Sequence, residues 1–73
     1  MSEGKKERRF PVGTWVRGAG VASGRLIEGA FAGPGPEYGL NEDVLVVQEY
    51  GPDDRLLGLR VLHADTVWPV SRG

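Results

Sequence analysis

Cysteine is absent from this 73-residue chain. That excludes disulfides and thiolate metal sites, two of the supports on which very small proteins commonly rely. Histidine occurs once, as His63, and methionine once. One imidazole with scattered carboxylates has no recognisable metal-ligand spacing, so no metal is expected. The carboxylates of Glu37, Glu42 and Asp43 read as solvated loop charge. No apolar run approaches the roughly 20 residues that a membrane helix needs. The opening MSEGKKERRF lacks the hydrophobic stretch of a signal peptide, and the expectation is a soluble, cytoplasmic protein. No segment holds a 3.6-residue apolar period for three turns, so helices are not expected. A Gly-x-Gly-x-x-Gly or Walker-type loop is missing, and with it the usual device for nucleotide binding. His63, with Asp65 two residues later, is the one candidate for an oriented general base. No nucleophile with a defined partner accompanies them, so the chain reads as a non-enzyme without a cofactor.

What charge there is lies unevenly. Residues 1–10 carry Lys5, Lys6, Arg8 and Arg9 against Glu3 and Glu7, whereas the remainder carries five arginines against eight carboxylates. An acidic body repels phosphate, which leaves the basic arm as the one contact for nucleic acid. The organisation expected is a disordered basic tail over 1–10, one β-domain over 11–71 and a short tail at 72–73.

Within the domain, 12 glycines and 5 prolines punctuate short alternating runs, the pattern of an all-β chain. GTWVRG sets Thr14 and Val16 on one face and Trp15 and Arg17 on the other. GRLIEGAF forms a second strand, with Gly24 and Gly29 where a bulge or bend belongs. AGPGPEYGLNED, residues 32–43, reads as a long loop whose prolines forbid a central strand. DVLVVQEY is the third strand. GPDDR reverses the chain, with Pro52 at the second position of a type I turn. In LLGLRVLH, the fourth strand, Leu57, Leu59 and Val61 share one face and Arg60 and Leu62 the other. HADTV predicts a single 3₁₀ turn with the Asp65 carboxylate as its cap, followed by a stub of fifth strand ending at Val70. The predicted interior is Val16, Leu26, Val46, Leu59, Val61 and Val67. Val44 and Val46 or Leu45 and Val47 face inward, according to register.

Five short strands, a long second loop and a one-turn helix before the last strand resemble SH3-like five-stranded barrels from about Val12 to Val70. The resemblance implies a fold. In peptide-binding SH3 domains the closing segment carries a ligand-gripping proline and a tyrosine, where this chain has His63 and Thr66. KOW-type modules are similar in the first hairpin, around Val16 and Gly24-Arg25-Leu26, but their basic loop residues are missing here. Type II dihydrofolate reductases are similar over Gly13-Thr14-Trp15-Val16-Arg17. Their catalytic Val-Gln-Ile-Tyr corresponds to Leu59-Arg60-Val61-Leu62, which lacks the glutamine and the tyrosine, so the resemblance does not carry the reaction.

The apolar side chains exceed what one small interior holds. Trp15, Ile27, Leu62 and Trp68, with Arg60 among them, are assigned by alternation to an outer face, and aromatic residues are enriched at interfaces. They form the expected partner-binding set. The functional expectation is therefore a non-catalytic protein-interaction module that self-associates or binds another protein. Its alternative is a nucleic-acid accessory module using Lys5, Lys6, Arg8 and Arg9 with an exposed tryptophan as stacking platform.

Overall fold

A computed structural model describes residues 10–71. The chain is all-β: β1 (Trp15–Ala19), β2 (Leu26–Pro34), β3 (Val44–Tyr50), β4 (Leu56–His63) and β5 (Trp68–Pro69) form one antiparallel sheet in the order β4-β3-β2-β1-β5. The expected 3₁₀ turn stands before β5 at Ala64–Thr66, and a second one, not expected, occupies Gly35–Tyr38. The sheet is not closed into a barrel, since β4 and β5 are its two edges. One isolated bridge, Gly20 opposite Leu62, joins the β1–β2 turn to β4, and there the Val21 N–H donates to the Val61 carbonyl at 2.9 Å.

Tight turns set the meander. Gly20 N–H donates to Arg25 O at 2.8 Å and Gly24 N–H to Gly20 O at 2.9 Å, with Gly24 at φ +73°, a conformation glycine adopts without steric cost. Between β3 and β4, Asp54 N–H donates to Gly51 O at 3.0 Å and Gly51 N–H to Arg55 O at 2.8 Å. Pro52 holds the second position of that turn as the sequence predicts, and Asp54 follows in the left-handed region at φ +64°. That sequence of conformations makes a three-residue hairpin loop. The register shifts between Phe31 and Gly33 in β2, and between Glu49 and Tyr50 where β3 meets β4, mark bulges at Ala32 and Leu57. Gly29 and Gly24 therefore do not carry the bulges, although Gly24 does make the expected bend, in the β1–β2 turn. Gly29 instead allows backbone contact, since a Cβ there would run into the Gln48 carbonyl.

The core consists of Val16, Ile27, Phe31, Leu45, Val47, Leu62 and Val67. Phe10, assigned from the sequence to the tail, packs its ring edge-on against Phe31 at 5.6 Å. The interior expected from alternation is right at Val16 and Val67; Val46 is buried, but on the face of β3 opposite the core cluster, and Leu26 is 69% exposed, Leu59 50% exposed and Val61 half-buried. Alternation sorts each strand into two sets but does not say which set faces in. Pairing decides it. Ile27 lies opposite Gly18 and Leu62 opposite Leu45, so both join the face that carries Val16 and Phe31.

Both faces of β3 are covered: Leu45 and Val47 by the core, and Val44 and Val46 on the opposite side. The predicted loop at 32–43 is shorter than expected, because β2 continues through Pro34, which lies opposite Leu45. Proline is tolerated at a strand end, where its missing N–H costs no ladder bond. The remaining segment folds over β3. A Cβ on buried Gly35 would collide with the Asn41 carbonyl and approach a Val44 methyl to 2.8 Å, so only glycine fits.

Asp65 does not cap the closing turn, for the Ala64–Thr66 turn has no side-chain cap from its N-terminal residue and Thr66 does the work instead. Its hydroxyl donates to the His63 carbonyl at 2.7 Å and accepts the Ala19 N–H at 2.9 Å. One side chain thus closes the turn and ties it to β1.

A candidate protein-binding edge and groove

β4 has two unlike halves. From Val61 to His63 it is anchored: Leu62 is fully buried, Val61 accepts a hydrogen bond from Val21, and Ala64, just beyond, donates to Asp43 O at 2.8 Å. From Leu56 to Arg60 it pairs only with β3, and among the described residues no strand lies on its other side. In that half Leu56, Leu57 and Leu59 are 50%, 52% and 50% exposed. Main-chain groups alternate from one side of a strand to the other. Since the Val61 carbonyl faces the outer lane, those of Leu59 face it too. Natural edges are usually guarded by charge, proline or a covering segment. Here the guard is slight: Arg60 Nη1 donates to the Leu59 carbonyl at 3.0 Å.

Beside this edge lies a groove of about 580 Å³. Val21, Ser23 and Arg25 of the β1–β2 turn form one wall and Leu59 and Val61 of β4 another, with Leu40, Ile27, Glu49 and Arg60 contributing. Its apolar character is residual exposure that the fold does not cover, as at Val21 and Leu40. Arg60 and Glu49 pair across it, Nε to Oε1, at 2.8 Å. Both side chains lie on the core side of the sheet, at the end where the ladder is open, which explains why a charge shares the parity of Leu62.

The partner-binding set expected from the sequence is divided. Ile27 and Arg60 line the groove, although Ile27 is 9% exposed and belongs to the core. Leu62 is buried beneath β4 and is not a surface residue. Trp15 is elsewhere: its ring tilts against Tyr50 at 5.9 Å, beside a separate shallow depression that also touches Ala30 and Asp54. Trp68 stands on the far edge strand, 61% exposed and opposite Arg17, whose guanidinium pairs with Glu28 at 3.3 Å. Lys5, Lys6, Arg8 and Arg9 lie outside the described residues.

Sequence reasoning missed Leu56, Leu57, Leu59, Val21 and Leu40 as surface groups. One signal for the strand faces was present: Glu28 shares parity with Leu26, so that face of β2 had to be wet and Ile27 had to point inward. The other polar cluster, Glu42, Asp43, His63 and Asp65, borders a depression of about 230 Å³. Among the described residues no group of three or more histidine, aspartate or glutamate side chains converges as a metal site would require. None of these residues forms a helix long and apolar enough to cross a membrane.

No protein-family model, curated protein or solved structure matches the chain.

Proposed function

We propose that this chain is a non-catalytic, protein-binding module of the SH3-like type, acting in the cytoplasm through the open half of β4 and the groove beside it. The strand order supports the fold reading: a four-strand meander, a single 3₁₀ turn, and a last strand returned to β1. The Gly20–Leu62 bridge draws the two ends of the meander together without a continuous ladder. The cysteine-free composition fits a reducing compartment.

The observation that carries the function is the run Leu56-Leu57-Gly58-Leu59: three half-exposed leucines in four residues of an edge strand, next to a groove large enough for a few side chains. An edge of this kind binds by strand addition, in which main-chain hydrogen bonds give affinity and pockets for alternate side chains give selectivity. Trp15 and Trp68 are not continuous with it and are not assigned to the binding surface.

Capture from native lysate onto immobilised protein, wild type against Leu59→Lys, tests the reading. Leu59 is half-exposed, so the substitution leaves the fold intact. The expected result is that the wild type retains a defined protein, a further copy of itself included, and the variant loses it. Equal retention by both, or none by either, overturns it.

A further inference from the structure

We infer that the occupant of this edge is a second copy of the same chain, joined by antiparallel pairing of the two β4 strands about Gly58. The inference rests on the protein-binding reading above and names its partner.

The open stretch is self-complementary. Leu56 to Arg60 has Gly58, at φ +146°, at its centre. A two-fold axis there sets Leu57 against Leu59 of the second copy, while Leu56, opposite Tyr50 beyond the bulge, lies on the other face of the sheet from Arg60. Apolar side chains then meet apolar side chains, and by symmetry the leucine pair forms twice. The Leu59 carbonyl already accepts from Arg60, but a carbonyl has a second lone pair for the partner's N–H. The two copies of Arg60 stay four residues apart along the ladder, about 13 Å at the usual strand rise. That exceeds the screening length of about 8 to 10 Å at physiological salt. Each guanidinium is moreover paired with Glu49 of its own chain. A two-fold axis is also the commonest symmetry by which a soluble chain self-associates.

Charge at the ends of the pair fits as well. Beyond Arg60 the outer lane is occupied by Gly20 and Val21, so the added strand must leave it there. It does so at its own β3–β4 turn, which brings Pro52 to Arg55 of the second copy against the β1–β2 turn of the first. Arg25 stands on that turn, lines the groove, and makes no ion pair among the described residues. Asp53 of the second copy arrives opposite it; within its own chain Asp53 has only a long, exposed pairing to Arg55 at 3.7 Å. By symmetry the contact occurs twice. The groove is thus filled by the partner's turn, in an interface at the small end of the known range.

Sedimentation of the full chain from a few to several hundred micromolar tests this, with near-ultraviolet circular dichroism to confirm that each variant is folded. The wild type is expected to pass from monomer to dimer across that range, and Leu59→Lys, or Leu57→Lys in its place, to remain monomeric throughout. Arg25→Asp is expected to weaken dimerisation about tenfold, and the double variant Arg25→Asp with Asp53→Arg to restore it, since reversing both charges keeps the pair. A wild type that stays monomeric, a dimer indifferent to lysine at Leu57 and Leu59, or a charge swap without recovery overturns the inference. If the wild type is monomeric and yet captures a different protein that Leu59→Lys loses, the second-copy inference falls and the binding reading stands. If it is monomeric and captures nothing, both fall.

Discussion

The two halves of β4 are built from similar residues and differ in what stands beside them. Val61 to His63 has β3 on one side and the β1–β2 turn on the other, while the 3₁₀ turn at Ala64–Thr66 leads the chain away to β5. Among the described residues, Leu56 to Arg60 has β3 alone. A leucine in the first setting is fully buried and a leucine in the second is half-exposed, with hydrophobicity the same. Composition does not distinguish a core strand from an open edge; the neighbouring lane does. In a chain this small, where the fraction of surface buried on folding is low, the fold completes one half of the strand and leaves the leucines of the other half-exposed.

The anchored half should break most severely. Leu62→Ala removes a fully buried side chain against Leu45 and next to Gly18 and should cost about 2 to 5 kcal/mol. A urea melt reads it as a fall in midpoint, and a loss below 1 kcal/mol would mean that the anchor is elsewhere. Next comes the hydroxyl that ties the closing turn to β1. Thr66→Val keeps the shape but deprives the Ala19 N–H and the His63 carbonyl of their partner, at a cost of about 1 to 3 kcal/mol. Thr66→Ser, which keeps the oxygen, should recover most of it in the same melt.

On the open half the expected stability change is small. Leu59→Lys should shift the melt of the monomer by no more than about 0.5 kcal/mol, since exposed positions tolerate substitution. A large loss at low protein concentration would show that Leu59 supports the fold itself. Smallest of all is Asp65→Ala. Because Thr66 and not Asp65 closes the turn, its effect should also stay within about 0.5 kcal/mol. A loss of 1 kcal/mol or more would return the capping role to Asp65.

Most of the secondary structure was legible. Period-two alternation, the glycines and Pro52 located every strand and the β3–β4 turn, and HADTV located the 3₁₀ turn before β5. The facing of the strands was not legible from alternation, and the binding set inherited that error: Leu62 and Ile27 were placed outside and Leu59 and Leu26 inside. In β2 the answer was within reach, because Glu28 marks the wet face. In β4 the charge pointed the wrong way. Arg60 shares parity with buried Leu62 because it pairs with Glu49 at the open end of the sheet, a long-range contact that no local pattern encodes. The closing cap failed for a related reason. Asp65 has the better local propensity for a cap, but Thr66 has a partner in β1, and tertiary hydrogen bonds override local preference.

Residue-resolved amide hydrogen exchange along β4, at low and at high protein concentration, tests the contrast between its halves most directly. The amides on the anchored side, Leu62 above all, should exchange slowly at both concentrations. Leu59, whose N–H faces the open lane, should exchange fast in dilute solution and slow down as concentration rises, with no comparable change at Trp68 on the opposite edge. Protection of Leu59 that is already high in the dilute monomer, or that does not respond to concentration at all, would contradict the account.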